Sequence, residues 1–462
     1  MPSERGHLIA YRDDLMAYLA LTALAVFAVY FAQERLYADA GYFLVRVIDE
    51  EGFHVINQRW LMPLIQWLPL LGVKLGLPLK GITVLYSLGN VVLSAAAFLY
   101  VNSVLRDRSH ALILLATQFV GLAQALFCPV FELYYGAILL ITLRALLQSD
   151  QRHTRSGQVT ACLLFALVAT CHFLGLLVLL LMLILDRIWR YRSLAIAFAI
   201  ILMLLMAPRI IGLSVYEDRA FHTVFLRLEI AGIGWVFAPG RLWAHAVQAF
   251  WHYPDAILIA LLSILTAWRM KAWWPMLVFI TGHLIIYTVV SLYFPDGTHD
   301  RYRETLDYAH VLWALVAAGW ALQHAPVWRI RAPYVFLVIL VLRFAWSFHV
   351  GGTFVERREW IEDRIEHARQ QRITKGLDMA THPFTSPGFN NAPLYAPAPF
   401  EYLLHSAMEG PENTVVLVSI PPNAQVDQRE LETELQREGV MLPVRRNGRY
   451  FQMPNGPFTV VE

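Results

Sequence analysis

The feature that most constrains this chain is a recurring one: long apolar runs separated by short loops that carry arginine. Eleven apolar helical segments are read at 15–33, 82–104, 110–127, 131–148, 158–171, 173–186, 193–211, 254–269, 274–293, 306–323 and 333–349. A full membrane span needs about 20 predominantly apolar residues. Inside hydrocarbon every backbone N–H and C=O must find an internal partner, which a single segment achieves only as a helix. The predicted fold class is therefore a polytopic α-helical membrane protein with about 11 membrane helical segments. Composition agrees. The 462 residues are 57% hydrophobic and only 16% charged, against roughly 25% charged in soluble domains. The 158–171 and 173–186 runs are too short for two upright spans and read as a hairpin with its tip at Cys171-His172.

Basic residues set the orientation. Arg5 and Arg12, Arg106 and Arg108, Arg152 and Arg155, Arg187, Arg190 and Arg192, Arg269 and Lys271, and Arg329 and Arg331 all flank short loops. That side is predicted to be cytoplasmic, with the N-terminus inside and the C-terminus outside. The assignment requires that 61–79 does not cross. Pro63, Pro69, Gly72, Gly76 and Pro78 make that segment a helix lying in the outer interface. The run Leu15 to Phe31 exceeds the ~7–15 residues of a signal-peptide core and reads as a retained first span.

The outer side then receives the loops 34–81, 212–253 and 294–305 and the tail. Two domains are expected: a transmembrane domain over 1–350 and a small extracytoplasmic α/β domain over 351–462, joined at a Gly351-Gly352 hinge. In the tail, 355–371 reads as a charged helix, TVVLVSI as a strand, RELETELQREG as a helix, LPVRRNGRYFQM as a hairpin and FTVVE as a last strand.

Net charge is +2, too small a field to recruit nucleic acid. Cys128, Cys162 and Cys171 lie in apolar stretches without metal spacing and read as small hydrophobes. No Asn-x-Ser/Thr sequon occurs, which leans towards a bacterium and hence its inner membrane.

Ionisable side chains gather on the outer side. Asp39, Tyr42, Arg46, Asp49, Glu50, His54, Asn57 and Arg59 lie in the first loop, and Glu132 opens the fourth span. His172 marks the hairpin tip, and Asp300, Arg301, Arg303 and Glu304 lie in the late loop. A guanidinium binds phosphate through a fixed fork of donors. A nearby carboxylate accepts a hydroxyl proton as general base. Together these suit group transfer from a lipid phosphate at the outer surface, in one shared cavity.

Three stretches carry a resemblance: LYADAGYFLVRVID with the Pro-rich 61–79 segment, HDRYRETLDYAHVLWALVAAGW, and TCHFLG. Over residues 10–350 the chain resembles the GT-C-type integral membrane glycosyltransferases, which use polyprenyl-phosphate sugars. The acidic position is a lone Asp39 followed by Ala40, where several branches carry Asp-Glu, and no proline follows Tyr302 in the late loop. The resemblance implies a GT-C-like fold and an inverting transfer to an acceptor at the outer face, with Asp39 as catalytic base. Arg301 or Arg303 would hold the phosphate, with Arg59 as a third choice. Glu132 and His172 would orient the acceptor or tune the base, and Tyr42, His54 and Asp300 complete the expected substrate-binding set. The implied partners are the polyprenyl-linked donor, membrane lipid and an acceptor the sequence does not name. No cofactor is implied for lipid-monophosphate donors. Oligosaccharide-transferring branches use a divalent ion, for which Asp39, Glu132 and His172 are the expected ligands.

Plainer roles compete. Asp39 pairs with Arg35 across a helical turn. His172 caps a turn, and Glu132 is a solvated helix end. His54, Asn57 and Arg59 share a helix face that anchors the interfacial helix. Arg301 and Arg303 touch headgroups with Asp300 as counter-ion. Trp243 and Trp251 either join an interfacial belt or stack on sugar, and 217–222 is a solvated loop. Two other functions stay open: a transporter or flippase of lipid-linked sugars, disfavoured by mid-span positions nearly free of charge and by the absence of repeats, and a non-catalytic scaffold that recruits a partner through the tail.

Overall fold

The computed structural model describes residues 4–37, 39–56, 58–212, 215–294, 301–378, 398–419, 448–454 and 456–461. The elements run α1 (Glu4–Tyr30), α2 (Asp39–Glu50), α3 (Met62–Lys74), α4 (Leu79–Leu99), α5 (Arg108–Ala116), α6 (Glu132–Gln148), α7 (Arg155–Cys171), α8 (Phe173–Leu185), α9 (Arg192–Ile211), α10 (Val215–Val236), α11 (Pro239–His252), α12 (Pro254–Arg269), α13 (Trp273–Tyr293), α14 (Arg301–His324), α15 (Pro326–Gln370), β1 (Lys375–Asp378), α16 (Ala398–Ala407), β2 (Val416–Ser419) and β3 (Thr459–Val461).

Among the described residues, five stretches are long and apolar enough to cross a membrane: Arg12–Tyr30 of α1, Leu79–Val104 on α4, α13, Tyr302–His324 of α14, and Ile330–Gln370 of α15. The pair α11 and α12, bent by 106°, makes a sixth if it is one broken span, and α7, α8 and Arg192–Pro208 are shorter apolar helices. The chain is thus a helical membrane protein. Its centre is α6, buried from Glu132 to Leu147. A helix that is apolar all round belongs inside a bundle, and α6 packs against α4, α5, α7, α8 and α14.

Several expectations change. The run 110–127 is not one helix. It leaves α-geometry after Ala116, and Gly121 takes a left-handed turn (φ 66°). Irregular backbone at membrane depth persists only where protein satisfies it. Here Glu304 accepts from the backbone N–H of Ala123 (2.7 Å), Gln124 (3.1 Å) and Ala125 (2.8 Å). Asp255 accepts from Gly121 N–H at 3.1 Å and is ion-paired with Arg343.

The described part of 212–253 is helical: α10, kinked at Gly232 (φ 69°), and α11, with Pro239 at its start, where a missing N–H does no harm. Residues 217–222 fall inside α10. Trp243, Val247, Phe250 and Trp251 are exposed on α11 at helical spacing. That apolar face on a helix turned sharply from α12 fits the interfacial belt expected for the two tryptophans.

No hinge exists at Gly351-Gly352, because α15 runs unbroken through both. A Cβ on Gly351 would stand 2.5 Å from the Phe31 ring. That glycine lets α15 close on the aromatic cluster of Phe27, Phe31, Phe127 and Phe348 rather than bend. The 61–79 segment does form a helix, α3, packed along α4.

In the tail, β2 and β3 lie where expected, and β1 is an addition. All pair in parallel in the order β2-β1-β3. Strand alternation sends Val416 and Val418 into the main core. It sends Val415 and Leu417 onto Ile361, Ile365 and Ala368 of α15. The expected helix over 429–439 and most of the hairpin before Gly448 lie outside the described residues. Arg357 grips Glu401 with two hydrogen bonds, and Arg364 grips the fully buried Asp378. On the membrane side α16 packs against α2, and Arg449 donates to the Gly76 carbonyl at 2.6 Å.

Candidate active site

Asp39 is the first residue of α2 and is exposed. A carboxylate there lies at the positive end of the helix dipole. It does not pair with Arg35. That arginine belongs to a separate 3-10 turn, Glu34–Leu36, so no helical register links the two. Its guanidinium is buried instead, donating to Ser87 O (2.6 Å), Ser87 Oγ (2.8 Å) and Asn90 Oδ1 (3.2 Å). Tyr86 fixes the start of α2 by donating its hydroxyl to the Ala40 carbonyl at 3.0 Å.

One turn beyond Asp39, and so on the same helix face, Tyr42 meets His54. The Tyr42 hydroxyl lies 3.0 Å from His54 Nε2, and His54 Nδ1 lies 2.9 Å from Glu50 Oε1. The tautomer that satisfies both contacts has Nδ1–H donating to Glu50 and Nε2 accepting from Tyr42. Buried Gln66 clamps the His54 backbone in both directions, at 2.7 and 2.9 Å. Burial pushes the His54 imidazolium down from its ordinary range, Glu50 opposes that shift and Arg46 adds to it. Hydroxyl, imidazole and carboxylate thus stand in one hydrogen-bonded row, whose tyrosine lies one helical turn from Asp39. Gln66 was not foreseen. Its backbone partner lies twelve residues away, and nothing local in the sequence marks it.

His54 and Arg59 do not share a helix face, because neither lies in a helix, and Asn57 lies outside the described residues. Arg59 crosses instead to Glu132 at 2.5 Å, with both side chains largely buried. Glu132 is therefore a buried ion-pair partner rather than a solvated helix end, and Arg59 is already neutralised. His172 has extended backbone between α7 and α8, and its Nδ1 accepts from Leu174 N–H at 3.1 Å, capping α8. The turn-cap role holds for that nitrogen. Asp39, Glu132 and His172 are not gathered as metal ligands. No three His, Cys, Asp or Glu side chains among the described residues are so arranged. All three cysteines are free thiols; Cys128 and Cys171 are buried and Cys162 half-buried.

The late-loop candidates lie in a second cluster. Asp300 and the Arg301 side chain lie outside the described residues, although Arg301 opens α14. Arg303 is 4% exposed and so does not reach headgroups. A guanidinium withdrawn from water must saturate its donors on protein, and this one donates to Asp307 (3.0 Å) and to the Phe294 carbonyl (2.7 Å). Its third contact is His245 at 3.3 Å. Deeper along α14, His310 faces His283 of α13, Nδ1 to Nδ1 at 3.2 Å. The mid-span positions are therefore less free of ionisable groups than the sequence reading held.

A buried polar row crosses the bundle towards this second cluster. Arg35 donates to Asn90, Asn90 to Gln118, Gln118 to the Tyr134 carbonyl and Thr117 Oγ1, and Tyr308 to the Thr117 carbonyl. The structure joins Tyr42 to His54 and Glu50, one helical turn along α2 from Asp39, and ties Arg59 to Glu132. It places Arg303 in the other cluster, among α11, α13 and α14. An apolar cavity of about 100 Å³ opens between α5, α12, α14 and α15, walled by Leu112, Phe119, Leu262, Leu315 and Phe336. Its hydroxyls, on Ser263 and Thr266, donate to their own helix. Comparison with family models, with curated proteins and with solved structures found no match to this chain.

Proposed function

We propose that this chain is a GT-C-type membrane glycosyltransferase. It moves a sugar from a polyprenyl-phosphate donor to an acceptor at the outer face of a bacterial inner membrane, with the N-terminus cytoplasmic and the tail outside. The observation that carries the reading is the placement of Asp39: an exposed carboxylate at a helix N-terminus directly after the first span, one turn from the Tyr42–His54–Glu50 row. In the proposed inverting step Asp39 takes the acceptor hydroxyl proton, and the oxygen forms its bond to the anomeric carbon. The bond to the lipid phosphate breaks, and the phosphate leaves with that electron pair. Tyr42, whose hydroxyl oxygen can still accept while it donates to His54, would hydrogen-bond the sugar, and His54 would hold that hydroxyl in place. Arg301 is the preferred phosphate holder, since Arg303 and Arg59 are engaged by Asp307 and Glu132.

In the full-length protein in detergent, Asp39→Asn is expected to lower sugar transfer from a polyprenyl-phosphate donor by at least about a hundredfold. Wild-type turnover in that variant would remove the base assignment. One observation favours a transporter instead: the His283–His310 pair within the helices, since ionisable groups at depth mark translocation paths. Flux of the lipid-linked sugar across proteoliposomes without covalent change would establish that reading.

A further inference from the structure

A polar cleft of about 320 Å³ lies where the tail meets the membrane helices. The tail brings Glu362, Asp363 and Glu366 from α15, His405 from α16 and Glu409 just beyond it, and the membrane side brings Gln33 and Lys80. Four carboxylates thus face two cations, Lys80 and Arg369. Arg369 is occupied, donating to the Ser406 and Asn413 carbonyls at 3.1 and 3.0 Å. A second, independent feature is His405. Its side chain is 97% withdrawn from solvent (3% exposed), and its Nδ1 has no hydrogen-bond partner among the described residues. That nitrogen stands 3.9 Å from Glu362 Oε1, too far for a direct bond, and Arg358 Nε stands at the same distance from that oxygen.

We propose that this cleft binds a primary ammonium group, seated between His405 Nδ1 and Glu362 Oε1 and surrounded by the remaining carboxylates. An ammonium carries three N–H donors and no acceptor, so it can donate at once to a neutral imidazole nitrogen and to carboxylates. His405 is suited to accept: burial, with Arg358 and Arg357 nearby, pushes its pKa down to about 3. The carboxylates are not gathered tightly enough to hold a metal ion, which separates this chemistry from a divalent-cation site. The fitting ligands are a soluble amino sugar or a lipid headgroup that bears a primary amine. The site uses no residue assigned to sugar transfer, so the two readings can fail separately.

The test is equilibrium binding to the full-length protein. Glucosamine is titrated against N-acetylglucosamine, which has the same ring without the cationic amine. Glucosamine is expected to bind at least tenfold more tightly. Glu362→Gln, a half-exposed position whose change leaves the fold intact, should remove most of that preference, and Glu409→Gln on another wall should reduce it less. Equal affinity for the two sugars, or a preference untouched by both variants, overturns the proposal. Repeating the titration in nanodiscs of phosphatidylethanolamine and of phosphatidylglycerol separates the sources. Competition only in the first assigns the site to a headgroup, and its absence assigns it to a soluble amine.

Discussion

Two groups of carboxylates divide this molecule. Glu304, Asp255 and Asp307 lie deep in the bundle, and each is committed to structure: Glu304 to three backbone N–H groups, Asp255 to Gly121 and Arg343, Asp307 to Arg303. Asp39 and Glu50 lie at the edge of α2, exposed. Burial here therefore marks acids engaged in structure, and the acid proposed for transfer is an exposed one. The buried acids are the mortar of an irregular segment, and the residues suited to chemistry are those at the rim.

The comparison breaks most visibly at Glu304. Glu304→Gln halves the acceptor capacity facing three buried N–H groups, and each buried group left unpaired costs about 1–3 kcal/mol. Thermal unfolding in detergent should fall by on the order of 3 kcal/mol or more, whereas Asp39→Asn should leave stability within about 0.5 kcal/mol. Equal effects at both positions would dissolve the distinction. Next in size are Tyr42→Phe and His54→Gln, each expected to lower transfer about tenfold with unfolding unchanged. Normal rates in both would limit the row to holding the loop.

The effect furthest from the transfer site is a pH slope in the tail. In the unfolded chain His405 takes up its proton near 6.5, but in the folded protein only near 3. Between those values the unfolded state binds the extra proton, so the stability this group contributes is complete above 6.5 and drains as pH falls towards 3. His405→Asn should flatten the melting temperature against pH in that window, and parallel curves would refute the assignment.

What was legible in the sequence follows physical range. Apolar runs of span length gave most helices, because burying a backbone in hydrocarbon is a local requirement, and α6, α7, α8, α13 and α15 lie where the runs do. The exception, 110–127, leaves the helix after Ala116, and its irregular backbone is satisfied by Asp255 and Glu304, more than a hundred residues away. Such rescue leaves no trace in the run itself. The place of 212–253 between two apolar segments reads as a loop, yet α10 and α11 are helical and expose large apolar side chains. Of the candidate site, the one-turn spacing of Asp39 and Tyr42 could be read directly. The alignment of His54 between Tyr42 and Glu50 depends on His54 lying outside a helix and on Gln66. The pairing of Arg59 with Glu132 spans 73 residues and depends on the fold alone.

The 45 residues of α15 amount to a rod of roughly 67 Å at 1.5 Å per residue, while the hydrocarbon layer is about 30 Å thick. More than half of that rod must project beyond the oily slab or lie slanted within it. With Gly351 pinned against the phenylalanines of the first span, the projecting half acts as a fixed gauge. The small sheet is held from two sides, by this rod and by the contact of α16 with α2, so any tilt of the rod must slide one hold against the other.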